Sequence, residues 1–520
     1  PGAYSNPRAQ EEVSAPPVPN APDLLSRREG RSPGRAIGLL LILYLVTRVG
    51  SLHVLPIFLD EAVHIQWAER LYEEGRILRP VGAGRLLAVA VYGLALPFED
   101  RLWAARFLAA VAGALTLVFT YLLSRCMFGN VAGLLAGLLY IASPFALVYD
   151  RLALSDVFLS ASVAGVMFAT WGLAERPSVR SWRILLALMI ILAIAAKVSA
   201  LLFFGAVPLG LLALARDRRA ALRAAAPVAL LGLVCASPIL WVFYSNSGEI
   251  AAQHVQDPLA SGPILVSTLR DMRGWVLSYF SLTAVIAALL SAILLRDGRA
   301  LWLGGAVVVP FVFFALVSQP WSARYILPVL PPMLILISGG IDRFAGRFSG
   351  GAGRAVALSL TLGVAFQGLV FDRYLLSDPS DAPFPEDDRR QLVTGWPAGY
   401  GIHELAQRLR DEAAQGAITA YVDTGGTRTV PTSLAVLLAH DPRIRLVESD
   451  LGLPANRASM VAQAATTKVV AILGPRNESL DFPSSLLGAV AERVAVYQRP
   501  EGEWTASLFR LKVRIGAGGI

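Results

Sequence analysis

Several ionisable residues sit beside the apolar runs of this 520-residue chain, and their types suit the handling of a hydroxyl next to an anion. Asp60 and Glu61 follow the first apolar run, in Leu55-Pro56-Ile57-Phe58-Leu59-Asp60-Glu61-Ala62-Val63-His64. Asp150 and Asp156 bracket the tight loop Tyr149-Asp150-Arg151-Leu152-Ala153-Leu154-Ser155-Asp156. Lys197 splits one long apolar stretch in Ala195-Ala196-Lys197-Val198-Ser199, and Arg324-Tyr325 opens an Arg-Tyr-x-Leu-Pro-x-x-Pro run. Arg48 lies inside the first apolar run, about three turns from its start. A carboxylate accepts the proton of an attacking hydroxyl. Lys197, Arg324 or a divalent metal (Mg or Mn) would stabilise charge developing on a leaving phosphate. Sugar transfer from a lipid-linked phosphate uses both, and it explains why the site should lie at a bilayer surface.

Each residue has a plainer alternative. Asp60-Glu61 is also a common solvated loop pair, and Ser155 or Asp156 suits the N-cap of the next helix. Lys197 and Arg48 have the reach to snorkel to headgroups. Arg324-Tyr325 resembles an interfacial anchor. His53, His64 and His254 show no ligand spacing and read as polar interface residues. Taken singly these alternatives suffice; together they leave unexplained why the acids and bases gather on one side of the membrane.

The elements that must position them are membrane helices. Mean hydropathy is +0.56 and only 16% of residues are charged, against about a quarter in soluble domains. Eleven apolar runs are expected to be transmembrane, at roughly 36–57, 102–124, 128–149, 154–174, 182–196, 198–214, 222–244, 275–295, 300–317, 325–341 and 354–372. The stretch at about 58–98, amphipathic and then briefly apolar, reads as interfacial helices. Residues 1–35, rich in Pro, Ser, Glu and Arg, read as a disordered tail. Alternate segments, namely the tail and the loops at 125–130, 175–183, 215–223, 296–299 and 342–354, hold 18 Lys+Arg against 8 Asp+Glu. By the positive-inside rule these are cytoplasmic, and the candidate residues face the other side. The pI near 9.6 therefore reflects topogenic arginine and not nucleic-acid binding. Cys126 and Cys235 fall in or beside apolar runs, which excludes a disulfide framework.

Composition changes near residue 374. The remainder reads as a small extracytoplasmic α/β domain, with strands at 417–423, 443–448, 467–473, 493–498 and 504–513 and helices at 401–414, 431–440 and 484–492. Its Asp423-Thr424-Gly425-Gly426 loop follows a strand, where a plain turn competes with a phosphate cradle.

The Asp60-Glu61 pair, the Tyr149-Asp150-Arg151…Asp156 loop, the Lys197 turn and the Arg324-Tyr325 run together resemble the GT-C superfamily of glycosyltransferases. The chain is similar to protein O-mannosyltransferases and lipid A aminoarabinose transferases over residues 36–373. Gly395-Trp396-Pro397-Ala398-Gly399-Tyr400-Gly401 also resembles a segment of bacterial members. The resemblance implies a fold of about eleven transmembrane helices with an outer α/β domain. It implies inverting transfer from a polyprenyl-phosphate sugar to an acceptor protein, lipid or glycan. Asp60 would be the base or the acceptor-orienting group, with Glu61 supporting it, while Asp156, Lys197 and Arg324 would line the donor phosphate pocket with Tyr325, Asp150 and Arg48 beside them. One departure is the segment Ser318-Gln319-Pro320-Trp321-Ser322-Ala323, where many relatives carry a clearer polar motif, so the sugar stays open. No Asp-x-Asp ligand motif is evident, which leaves metal dependence open too. A transporter or flippase is the rival reading; it would carry mid-membrane ionisable residues and repeated broken helices, and neither is evident. A non-catalytic envelope scaffold is the third.

Overall fold

The computed structural model describes residues 33–50, 52–78, 83–246, 262–317, 322–474, 482, 486, 488–502 and 504–513. Nearly all of the tail expected at 1–35 lies outside these residues, as do His254 and residues 318–321 of the departing segment.

The membrane part is helical from α1 (Pro33–Val49) onward. α2 (Leu59–Glu74), α3 (Leu86–Tyr92) and a 3₁₀ turn at Gly93–Ala95 form the segment between α1 and the next long helix. α4 (Arg101–Phe128), α5 (Asn130–Ile141), α6 (Pro144–Tyr149), α7 (Ser155–Glu175) and α8 (Arg180–Ala196) follow. A 3₁₀ stretch, Val198–Gly205, leads into α9 (Ala206–Leu214), and α10 is Arg218–Asn246. α11 (Gly262–Trp275) and α12 (Ser281–Leu295) are joined by one π-helical turn; α13 is Gly298–Val317. A 3₁₀ turn, Ala323–Val329, carries Arg324 and Tyr325 into α14 (Leu330–Ala345), and α15 is Gly350–Ser377. Among the described residues seven helical segments are long and apolar enough to cross a bilayer, and three shorter apolar ones accompany them. The protein is multi-pass, and the expected apolar runs fall on helical segments, except that the first, expected over 36–57, is helical only to Val49 and the run at 128–149 is broken between α5 and α6.

α7 is the central post. Ser155 through Ala174 are all buried, so this helix is apolar on every side and is enclosed by its neighbours. α10, α13 and α15 instead present Leu230, Leu231, Val234, Val308, Leu316 and Phe366 outward. In water such a belt would aggregate; against acyl chains it costs nothing.

Beyond α15 lie α16 (Glu386–Arg389) and α17 (Ile402–Ala413), then β1 (Ile418–Asp423), α18 (Thr429–Leu437), β2 (Ile444–Ser449), α19 (Pro454–Ala464), β3 (Lys468–Leu473), β4 (Ala489–Gln498) and β5 (Trp504–Val513). The sheet order is β2-β1-β3-β5-β4, with β2, β1 and β3 parallel and β5 and β4 antiparallel. Of the helix expected at 484–492, residues 489–492 are strand instead: β4 begins at Ala489, where Val490 and its neighbours pair with β5, and residues 484, 485 and 487 lie outside the described residues. α19 was not foreseen; its Ala- and polar-rich face buries little beyond Met460.

Candidate active site

Asp60 and Glu61 do not lie in a loop. α1 ends at Val49, and the pair occupies the first turn of α2, where carboxylates complement the helix dipole. Their side chains diverge. Glu61 is fully buried and accepts from Arg106 through both oxygens (2.8 and 2.6 Å), from Phe58 N (3.0 Å) and from Ala153 N (2.8 Å). Arg106 also donates to the carbonyls of Leu52, Leu55 and Pro56. Every lone pair of Glu61 is engaged by the frame, so it holds α2 to α4 and to the 150–154 turn and is not available to a substrate.

Asp60 turns the other way. Its Oδ2 lies 2.6 Å from Arg324 Nη2, and its side chain keeps 25% of its surface exposed. Lys197 Nζ lies 2.6 Å from Asp156 Oδ1 and 4.1 Å from the centre of the Tyr325 ring. Lys197 does not snorkel: its residue is extended between α8 and the 3₁₀ stretch, which aims the ammonium at the N-terminus of α7. The N-cap of α7 is Leu154 without a side-chain cap, so neither Ser155 nor Asp156 caps it; Asp156 serves Lys197 instead. Arg324 stands over the Phe58 and Tyr325 rings, and its buried Nε has no acceptor among the described residues.

Arg85 is the third cation, and nothing in its sequence context marks it. It lies within electrostatic reach of both Asp60 and Asp156. Its Nη1 is 3.1 Å from His64 Nε2, while His64 Nδ1 is 2.8 Å from the Ala153 carbonyl. A carbonyl only accepts, so Nδ1 carries the proton and the lone pair of Nε2 receives Arg85. Burial, followed by the positive charge of Arg85, lowers His64 to about 3 and keeps it neutral. Burial by itself would raise the Asp60 carboxyl, but Arg324, Arg85 and His64 outweigh it and hold that carboxyl well below the usual range. Asp60, Asp156, Arg85, Lys197 and Arg324 thus form one cluster carrying two negative and three positive charges.

Asp150 and Arg48 do not join this cluster. Asp150 ends α6, and its side chain turns back to accept from Tyr44 (3.0 Å) and Tyr140 (3.1 Å). Gly113 makes room for it; a Cβ there would fall 2.1 Å from the Tyr44 hydroxyl. Arg48 donates to Thr47 and the Ile141 carbonyl and lies over the Tyr44 ring. Both are fully buried and brace α1 against α4 and α5. Six residues separate Asp150 from Asp156, but one closes a helix and the other opens the next, so their side chains leave the turn in different directions.

The C-terminal domain reaches into the site at two places. Leu59 N donates to the Pro397 carbonyl (3.1 Å), and Phe58 bridges to Ala398. Gly399 must be glycine, since a Cβ would fall 2.0 Å from the Ile57 carbonyl oxygen. The Gly395–Gly401 segment therefore fixes the chain just before Asp60. Asp388 of α16 is fully buried and accepts from Tyr149, from Tyr279 (2.6 Å), from Ser322 (2.8 Å) and from Ala323 N (3.4 Å). It pins the residues that precede Arg324.

A family model described as dolichyl-phosphate-mannose-protein mannosyltransferase matches residues 88–242. The structure of ArnT from Cupriavidus metallidurans in the apo state is similar with a TM-score of 0.55 at 16% identity, covering 92% of this chain and 97% of that one. ArnT bound to undecaprenyl phosphate gives 0.57 at 15%, with the same coverages. The chain shares its fold with these ArnT structures. The Archaeoglobus fulgidus oligosaccharyltransferase tethered to an acceptor peptide gives 0.50 at 10% identity, covering 91% of this chain and 73% of that one. Curated proteins gave no sequence match.

A groove of about 80 Å³ is lined by Met167, Leu202, Phe203, Leu209, Val309 and Pro328. Leu202 and Phe203 follow Lys197 in sequence, and Pro328 follows Tyr325. Among the described residues no three His, Cys, Asp or Glu side chains converge as metal ligands, and Asp60 and Asp156 are each paired with a cation.

Proposed function

We propose that this chain transfers a sugar from a polyprenyl-phosphate-linked donor to an acceptor hydroxyl, with inversion, on the extracytoplasmic side of the membrane. The observation that carries the reading is the charge balance of the cluster. Three cations against two carboxylates leave one positive charge, with a buried Arg324 Nε–H still unused. An anionic lipid phosphate supplies both the charge and the acceptor, and its isoprenoid tail follows the groove. ArnT has been captured with undecaprenyl phosphate in the same fold, which supports a ligand of this kind.

The donor phosphate competes with Asp60 for Arg324. As Arg324 turns to the phosphate, Asp60 loses its counter-ion and becomes a better base. The acceptor oxygen attacks the anomeric carbon, the bond from that carbon to the phosphate oxygen breaks, and Asp60 takes the hydroxyl proton. Polyprenyl phosphate leaves as an anion, stabilised by Arg85, Lys197 and Arg324. No step is routed through a metal. In this reading residues 36–373 form the transmembrane catalytic domain, the N-terminal tail is cytoplasmic and residues 374–520 are the extracytoplasmic domain.

Purified protein in lipid nanodiscs, supplied with radiolabelled polyprenyl-phosphate sugars and a membrane extract as acceptor source, tests it. Label transfer that disappears in Asp60→Asn supports the reading. Movement of intact donor across a bilayer without release of polyprenyl phosphate would replace it with a flippase.

A further inference from the structure

A second hollow, of about 540 Å³, lies between α2 and the outer domain and plays no part in donor binding. Its walls are Trp67, Gln66 and Arg70 of α2 on one side and Trp396, Thr427 and Arg428 on the other. Its size is that of a small-ligand site, roughly 300–1,000 Å³. Three features show what it would hold.

First, it begins beside Asp60 in the chain: Leu59, which opens α2 just before Asp60, is among its lining residues. Asp60 and Trp67 are two turns apart, about 10 Å along the axis. A ligand lying along α2 from Trp67 to Leu59 runs toward the turn that carries Asp60. Second, the outer wall is where α/β sheets bind ligands. β1 is central; α18 leads to β2 on one side, and α19 crosses back to β3 on the other. The crevice at the carboxyl end of β1 is therefore a topological switch point, and residues 424–428 emerge there. Asp423 folds that loop by accepting from Gly425 N and Leu451 N, which makes it a turn that presents Thr427 and Arg428. Third, the lining has a definite chemistry. Trp396 is half exposed and Trp67 partly so, giving two indole faces in water. Arg70 and Arg428 make no side-chain hydrogen bond or ion pair among the described residues, unlike Arg85, Arg106 and Arg324 of the neighbouring cluster.

We propose that this hollow seats the acceptor, and that the acceptor is an anionic oligosaccharide. The indole faces stack on sugar rings, Gln66 and Thr427 meet hydroxyls, and Arg70 and Arg428 bind its carboxylate or phosphate groups bidentately. The inference rests on the glycosyl-transfer reading, since it makes the ligand end nearest Asp60 the reacting hydroxyl.

The test is tryptophan fluorescence and calorimetric titration of the full chain in nanodiscs with tetragalacturonate, a phosphorylated mannotetraose, neutral maltotetraose and an acidic peptide. One or both charged tetrasaccharides should saturate, at least tenfold tighter than maltotetraose. Arg70→Gln with Arg428→Gln should weaken that binding at least tenfold, and Trp396→Ala, a change at the exposed rim, should do so too. Binding of undecaprenyl phosphate should stay at the wild-type level in all variants, which also shows that they are folded. Equal binding of maltotetraose, unchanged binding in the double variant, or binding of the peptide alone would overturn the inference. Donor binding and transfer without charged-sugar binding would sink only this assignment. Loss of donor binding by the wild-type protein would sink the glycosyl-transfer reading instead.

Discussion

Arg324 Nη2 and Asp60 Oδ2 meet at 2.6 Å across 264 residues of chain. The pair joins the first outer helix to the turn that opens α14, and it sets the resting state of the site. A carboxylate held by a guanidinium is a weak base, so the pairing must be exchanged before Asp60 can act.

That exchange separates two variants. Asp60→Asn removes the base and also the competitor for Arg324. Transfer should fall by about 10²–10⁴-fold, while undecaprenyl phosphate binds as tightly as before or more tightly. Arg324→Gln should instead weaken donor binding. Equilibrium binding of labelled undecaprenyl phosphate, measured beside single-turnover transfer, checks both. A loss of donor binding in Asp60→Asn would contradict the exchange.

Glu61 should behave as a structural residue in spite of its place beside Asp60. Glu61→Ala strands the Arg106 guanidinium in the interior, and breaking a buried pair in this way costs about 3–5 kcal/mol. The expected result is a large drop in the detergent melting temperature and poor recovery of protein. Any folded fraction should retain most of its turnover per molecule. Glu61→Gln should be milder, because the amide oxygen still accepts from Arg106.

Arg85 supplies the uncompensated charge, so Arg85→Gln should raise the donor KM. A hydrogen bond to a charged group is worth about 1.5–3 kcal/mol, or roughly 10–100-fold. The kcat should change less, and the salt dependence of donor binding should become shallower. If KM stays constant, Arg85 does not touch the phosphate.

His64 gives the site a pH signature. Its folded value, about 3, lies below the 6.5 of an unfolded histidine. Between these limits the unfolded chain binds the extra proton, so stability falls as pH drops from 6.5. The loss is about 2 kcal/mol by pH 5. Asp60, also depressed, adds to the loss only below the usual carboxylate range near pH 4. Melting temperature measured from pH 7.5 to 5 should decline, and His64→Gln should flatten the decline. A slope unchanged in His64→Gln would show that another group titrates.

Much of this was legible in the sequence. Apolar length marked the helices, and the parallel strands β1, β2 and β3 stood out by their Val and Ile content. Asp60, Asp156, Lys197, Arg324 and Tyr325 were conspicuous because charge at membrane level is costly, and the structure brings them together. The remainder depends on direction, which spacing does not carry. Asp60 and Glu61 are adjacent, but helical geometry sends them to different neighbours. Asp150 and Arg48 are just as costly, yet their partners are the tyrosines of α1 and α5. Arg85 opens a short apolar stretch read as interfacial, where one flanking arginine is unremarkable, and Asp388 lies in an acidic run of Glu386-Asp387-Asp388 that reads as solvent-exposed.

Asp388 yields the last prediction. Burial raises its carboxyl, and four donors from Tyr149, Tyr279, Ser322 and Ala323 oppose that rise. It touches no substrate in the proposed reaction; it fixes the backbone two residues before Arg324 and so aims that guanidinium. Asp388→Ala would leave three buried hydroxyls without an acceptor and should unfold the junction between the outer domain and the membrane part. Asp388→Asn keeps the volume and one acceptor oxygen, so it tests position more gently. With Arg324 less constrained, kcat should fall about tenfold while donor KM changes little, because the guanidinium can still find the phosphate but not hold the transition-state geometry, where small misplacements are costly. Asp388→Glu should not restore activity, since the added methylene has no room in a fully buried site. Single-turnover kinetics of the Asn and Glu variants, at matched melting temperature, would decide; full activity in either would show that the Asp388 contacts serve folding alone.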